Sequence, residues 1–186
     1  HLAGRYAQRY DRTIVIMVKE GSWSMSGRSA LTGIRVLELD NGLAQFAGKM
    51  LADMGADVIK IEPPEGSPSR NLAPFYQDQP DKNKSLYFWN YNTSKRSVVL
   101  DLAAEEGKET FMKLAGTADV ILDGLGHNVM ANYGLDYERL KEQYPRLIYC
   151  YVTPFGKDGP WASYQSSDIV NLALGGPMSV CGYDKE

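Results

Sequence analysis

The chain has 186 residues, 44% apolar and 23% charged, enough apolar material for a sizeable core and, by length, for one domain or two at most. A formal net charge of −3 leaves no basic face for nucleic acid, and the 20 Lys and Arg residues are scattered without a run. The longest apolar stretch near the start, Ile14 to Val18, is too short to span a bilayer and lacks the small-residue cleavage pattern of a signal peptide.

These features lead us to expect a soluble, cytoplasmic protein with neither nucleic-acid nor membrane partners. Two cysteines, Cys150 and Cys181, form no CxxC pair, and His1 and His127 have no metal-ligand spacing. Neither a zinc site nor a disulfide framework is expected.

Residues 1–30 have mixed polarity, with Ser22, Ser24, Ser26 and Ser29 near their end, and no sustained period, so they read as an extension or linker. The fold is expected over 31–186. It opens with "IRVLEL" (34–39), a helix over 44–54 and "DVIKI" (57–61), which together make a βαβ unit. Within the helix Ala47, Met50, Leu51 and Met54 recur at helical spacing, which predicts that this stripe faces the sheet, and Gly55 is expected to end the helix as its C′ glycine.

The alternation resumes with "SVVLDL" (97–102), a helix over 103–115, "DVILD" (119–123), a helix over 137–144 and "RLIYCYV" (146–152), and a further helix starts near Asp168. Strands of nearly continuous apolar character spaced by helices predict an α/β fold, a Rossmann-like parallel sheet with helices on both faces. Ligands in such sheets bind beyond the carboxyl ends of the strands, which directs attention to loops 40–44, 62–75, 123–132 and 153–167.

Each loop admits a simple structural reading and a functional one. In "EPPEGSPSRNLAPF" (62–75) the closely spaced Pro63, Pro64 and Pro68 stiffen the path, and Arg70 is either a solvated loop residue or a planar fork for an anionic ligand. "NTSKRS" (92–97) sets Lys95 and Arg96 beside small hydroxyl residues, which suits phosphate contacts and equally suits a solvated turn. The aromatic run Tyr87, Phe88, Trp89 and Tyr91 reads first as core. "DGLGHN" (123–128) supplies Gly124 and Gly126, where a backbone can approach a ligand closely, but neither it nor the first turn, "LDNGLA", carries the G-x-G-x-x-G dinucleotide fingerprint. Asp168, behind two serines, reads most simply as a helix-capping or first-turn acid.

Taken in order, "LTGIRVLEL", "LADMGADVIKIEPPEG", "NTSKRSVVLDL", "GLDYERLKEQYPRLIYCYVTPFGKDGP" and "SSDIVNLALGGPMSVCG" resemble the N-terminal part of the class III CoA-transferases. That group contains formyl-CoA transferase and carnitine CoA-transferase, with α-methylacyl-CoA racemase as a relative. The resemblance implies transfer of coenzyme A from an acyl-CoA to a small carboxylic acid, with CoA as substrate and no permanently bound cofactor. An aspartate would attack the thioester, giving an aspartyl anhydride and then an enzyme–CoA thioester.

Position by position, the resemblance implies that Leu43 and Ala44 form a turn touching CoA and that Leu100 makes an apolar contact near the adenine. Gly124 and Leu125 stand where the family has asparagine and phenylalanine, and Asn132 stands where it has an arginine. With Arg70, Lys95, Arg96 and Gly126 these make up the expected CoA-binding set. Asp168 matches an acidic position near the active centre and is the candidate auxiliary acid, while the nucleophilic aspartate is expected beyond Glu186. Ser167 replaces the catalytic histidine of the racemases, which favours transfer over racemisation. Family members are longer and form interlocked homodimers, so this chain is expected to be a fragment, a split subunit or a degenerate half. An acyl-CoA racemase or lyase relative, and a non-catalytic module binding acyl-CoA or a partner subunit, are the alternative readings.

Overall fold

The computed structural model describes residues 29–182, so the expected extension over 1–30 lies outside the described residues except for its last two. The chain divides into two compact units, His1–Val152 and Thr153–Glu186. In the first, strands β1 (Arg35–Asp40), β2 (Asp57–Glu62), β3 (Arg96–Val99), β4 (Val120–Gly124) and β5 (Ile148–Tyr151) make one sheet in the order β3-β2-β1-β4-β5, with every pairing parallel. The Rossmann-like expectation is met. The chain winds outward from β1 to β3 and then returns to place β4 on the other side of β1, so the carboxyl ends of β1 and β4 flank the topological switch point.

Side chains alternate across the sheet, and both faces are covered over β1, β2 and β4, while β5 leaves Ile148 and Cys150 exposed. On one face Leu37, Leu39, Ile59, Ile61 and Ile121 pack with Phe111 and Ala115 of helix α3 (Glu105–Ala115), Met130 of α4 (Val129–Asn132) and Leu140 of α5 (Tyr137–Gln143). Phe111 and Leu140 are fully buried, each contributing about 2 kcal/mol through apolar surface removed from water. The other face carries a smaller cluster of Val36, Val58 and Leu122 with Ala44, Ala52 and Ala56, around helix α1 (Gln45–Asp53).

Helix α1 corrects the expected stripe. Its buried residues are Gln45, Gly48 and Ala52, whereas Ala47, Met50 and Met54 are exposed and Leu51 is half-buried. The reason lies beneath it. Glu38 and Lys60 stand in register on β1 and β2 and point to this face, so the helix must present small and polar residues to a charged surface. A Cβ at Gly48 would lie 1.7 Å from Glu38 Oε2, so only glycine allows this approach. The helix ends as expected, with Gly55 at φ +98°.

Strand β3 is shorter than the apolar run suggested. Leu100 still donates its N–H to Glu62 O at 2.9 Å, but Asp101 then closes a turn by accepting from the Ala103 and Ala104 amides. The aromatic run forms a short helix, α2 (Leu86–Tyr91), whose N-cap Ser85 accepts from the Phe88 amide at 3.1 Å, with Phe88 buried and Trp89 more than a third exposed. The second unit contains helix α6 (Asp168–Gly175), which ends at Gly176 in the left-handed conformation (φ +94°). No described helix is long and apolar enough to cross a membrane.

Candidate functional site

Strand ends of a parallel sheet deliver their residues to one edge, and here that edge collects carboxylates. Glu62 ends β2, and Asp123 stands one residue from the end of β4; each is only 2% exposed. Burial alone raises a carboxyl pKa, and the partners decide the outcome.

At Glu62 burial opposes ionisation, but the Arg70 guanidinium outweighs it and holds the carboxyl below its ordinary range. Arg70 Nε and Nη2 lie 2.6 and 2.8 Å from Glu62 Oε2 and Oε1, a bidentate pair, and the Ser67 amide and Ser97 hydroxyl donate to the same carboxylate. The guanidinium carbon stacks 3.8 Å from the Phe88 ring centre. Arg70 is thus 8% exposed and engaged, not a solvated loop residue. Beside this pair lies a cavity of about 190 Å³ lined by Pro64, Gly66, Ser97 and Val99.

Among the described residues Asp123 meets no cationic partner. It accepts from the Tyr149 hydroxyl at 2.8 Å and the Leu125 amide at 3.1 Å, and burial prevails over these two bonds to push its pKa up. Tyr149 is driven up in turn, by its own burial and by the negative charge of Asp123.

A third buried group lies under α1. Glu38 Oε1 accepts from Lys60 Nζ at 2.8 Å, and its Oε2 is 2.7 Å from Lys95 Nζ. Lys95 also donates to Gln45 O at 2.8 Å and to Asn92 Oδ1 at 3.0 Å. Its ammonium therefore supports the start of α1 rather than a solvated turn.

Leu43 and Ala44 form the turn between β1 and α1, with Leu43 about half exposed and Ala44 fully buried. Gly124 ends β4, paired in register with Asp40, and Leu125 and Gly126 follow directly, so the structure brings the 41–44 and 124–126 turns together at the switch point. Gly126 has φ +109°, and a Cβ there would meet nothing within 4 Å, so glycine is required by conformation and not by crowding. Asn132, exposed, ends α4.

Other expected residues lie elsewhere. Arg96 begins β3, near the amino edge of the sheet, and pairs with Asp57, which Arg35 also engages; burial works against that carboxylate, and the two guanidinium groups prevail and lower its pKa. Leu100 is 2% exposed in the main core. Asp168 belongs to the second unit, where it is exposed in the first turn of α6, and Ser167 is the N-cap but makes no side-chain capping bond.

Sequence reasoning missed Asp123, Tyr149 and Asn41, whose Nδ2 donates to Leu125 O at 3.0 Å between the two turns. The signal for Asp123 was present, a carboxylate closing an apolar strand at the carboxyl edge. Glu38 and Lys60 were legible too, as opposite charges inside two apolar strands that a parallel sheet buries on both faces.

A family model described as CoA-transferase family III matches residues 31–186. The succinate–glutarate CoA-transferase of Agrobacterium fabrum is 44% identical over 156 residues, covering 82% of this chain and 39% of that protein. The formyl-CoA:oxalate CoA-transferase of Streptomyces coelicolor is 36% identical over 156 residues, covering 83% and 37%. Among solved structures, a CAIB/BAIF family protein from Brucella suis superposes with a TM-score of 0.76 at 38% identity, covering 84% of this chain and 42% of that one. The chain thus spans about two fifths of the length of the relatives it matches. On the family match and these likenesses together, the chain belongs to CoA-transferase family III.

Proposed function

We propose that residues 31–186 supply the CoA-binding portion of an enzyme that moves coenzyme A from an acyl-CoA to a small carboxylic acid. The observation that carries this reading is the meeting of the 41–44 and 124–126 turns at the switch point, where a doubly wound sheet offers its ligand crevice. Leu43, Gly124, Leu125 and Gly126 are the contacts assigned to CoA there, with the fully buried Ala44 shaping the turn beneath them. Glycines in the second turn let the backbone approach a thioester chain closely, and backbone amides suit developing oxyanions.

The reaction runs through a carboxylate nucleophile, an aspartate that the family resemblance sets beyond Glu186. Its attack on the thioester carbonyl expels CoA thiolate and forms a mixed anhydride. The thiolate then attacks the aspartyl carbonyl, releasing the donor acid and leaving an enzyme–CoA thioester. The acceptor carboxylate repeats the two steps in reverse order, taking CoA and restoring the aspartate. Each step exchanges one acyl bond for another, so no oxidant or metal enters the balance. Asp168 is the auxiliary acid of this scheme, and the full-length enzyme is a soluble homodimer.

Calorimetric titration of the purified chain with free CoA and with succinyl-CoA at matched salt tests the binding portion. Saturable binding of both is expected. A chain that is folded by circular dichroism yet takes up neither would overturn the assignment.

A further inference from the structure

The Leu125 peptide is held from both sides. Its N–H donates to Asp123 Oδ1 at 3.1 Å, and its C=O accepts from Asn41 Nδ2 at 3.0 Å. Asn41 follows β1 and Leu125 follows β4, so the second bond crosses the switch point between the two strands that flank it. Asp123 is itself fixed by Tyr149 and by its own carbonyl, which accepts from the Val152 amide at 2.8 Å. Beyond Leu125 the chain enters the left-handed conformation at Gly126 and again at Asn128 (φ +58°), so nothing regular continues the strand. The direction of the turn is therefore set at Leu125.

We propose that Asn41 is a positioning residue, which with Asp123 clamps the Leu125 peptide and so fixes the 124–126 turn against the 41–44 turn for binding of a CoA thioester. This rests on the reading of those turns as the CoA site. The chemistry suits an amide. Clamping a carbonyl needs a donor, which Asn supplies, and a carboxylate of the same size supplies only acceptors that face the carbonyl oxygen. Asp123 is the complementary acceptor for the N–H. Asn41 touches neither the thioester carbonyl nor the nucleophile in this role; it acts through the backbone of Leu125.

The test is calorimetric titration of the chain with free CoA for the wild type and for N41D, N41A and N41Q, with a thermal unfolding curve for each. Asn41 is exposed, so none of these substitutions empties a core. Loss of one hydrogen bond to a site backbone predicts an affinity about five- to tenfold weaker for N41D and N41A. N41Q, which keeps the amide donor on a longer stem, stays within about threefold of wild type. Melting temperatures stay within about 2 °C throughout, because an exposed neutral bond contributes little to folding.

Affinity ordered by donor capacity, with the isosteric N41D weak and the larger N41Q strong, is a pattern that a purely structural residue does not produce. Three results would overturn the inference: all variants binding like wild type, affinities ordered by side-chain size, or losses that follow the melting temperature. If N41D alone fails to fold, N41A against N41Q decides the matter. A folded wild type that binds no CoA sinks the reading of the site and this inference together, whereas wild-type binding with an unaffected N41D sinks only the inference.

Discussion

Glu62 and Asp123 both lie at the carboxyl edge of one sheet, one register step apart and so on opposite faces, and both are 2% exposed. Their protonation moves in opposite directions. Glu62 is met by a guanidinium and two further donors, and its carboxyl is held low; Asp123 is met by a phenol and one amide, and its carboxyl is pushed up. Equal burial thus yields a fixed ion pair on the β2 side and a charge-sensitive group on the β4 side, the side where the proposed CoA turn begins. A buried carboxylate becomes structural or responsive according to its counter-charge and not its depth.

The substitution with the largest expected effect removes that counter-charge. Arg70→Ala leaves Glu62 buried without its cation, which for a broken buried pair costs about 3–5 kcal/mol, and it also removes the stack on Phe88. Thermal unfolding at pH 7 should show a melting temperature lower by roughly 10 °C. The sign of the pH dependence should reverse as well. In the wild type Glu62 has a depressed pKa, so its stabilisation is present above the unfolded-state pKa and is lost as pH falls through the folded one. Without Arg70 burial prevails, the carboxyl shifts upward, and the deficit relative to wild type shrinks on acidification. A deficit that stays constant from pH 7 to pH 4 would break the comparison.

How much of this was legible follows from what each signal measures. Apolar runs marked β1, β2, β4 and β5 to within about two residues; β1, β2 and β4 are buried on both faces and so run almost continuously apolar, whereas the edge strand β5 keeps the pattern with Ile148 and Cys150 exposed. They overextended β3, since Leu100 and Leu102 are buried in the turn that leaves the sheet and hydrophobicity does not distinguish a strand from a buried turn. The stripe on α1 was real, with Met50 and Met54 on it, but periodicity cannot say which face meets a sheet carrying Glu38 and Lys60. The short helix α2 left no periodic trace because six residues are fewer than two turns. At the site, Gly124, Leu125, Leu43 and Ala44 came from resemblance, whereas the bond from Asn41 to Leu125 joins residues 84 apart and no local pattern encodes it.

A smaller effect is expected on the Asp123 side. Tyr149→Phe deletes the hydroxyl that donates to Asp123 Oδ2 while keeping the ring against Tyr137 and Tyr151. A lost hydrogen bond to a buried carboxylate costs about 1.5–3 kcal/mol when the group is ionised and less when it is protonated. The deficit, followed by urea unfolding, should therefore grow with pH, in the same direction as the Arg70→Ala deficit but across the raised titration range of Asp123 and not the lowered one of Glu62. A deficit independent of pH would mean that Asp123 does not change charge within the range measured.

The smallest change is Asp123→Asn, which keeps the shape and an acceptor for the Leu125 amide but removes the charge. Because the folded pKa of Asp123 is raised, the wild type carries no ionisation penalty below the unfolded-state pKa of about 3.9, accumulates one as pH rises, and carries all of it above the folded pKa. The Asn variant has no such titration. Its melting temperature relative to wild type should therefore climb from about pH 4 upward and then level off once Asp123 is ionised in the folded wild type. At the low-pH end the variant should be equal or slightly worse, since an amide places an N–H₂ donor where the Tyr149 hydroxyl expects an acceptor. A difference that falls with rising pH would show that the carboxylate at this strand end is stabilised after all, and the contrast with Glu62 would collapse to one of degree.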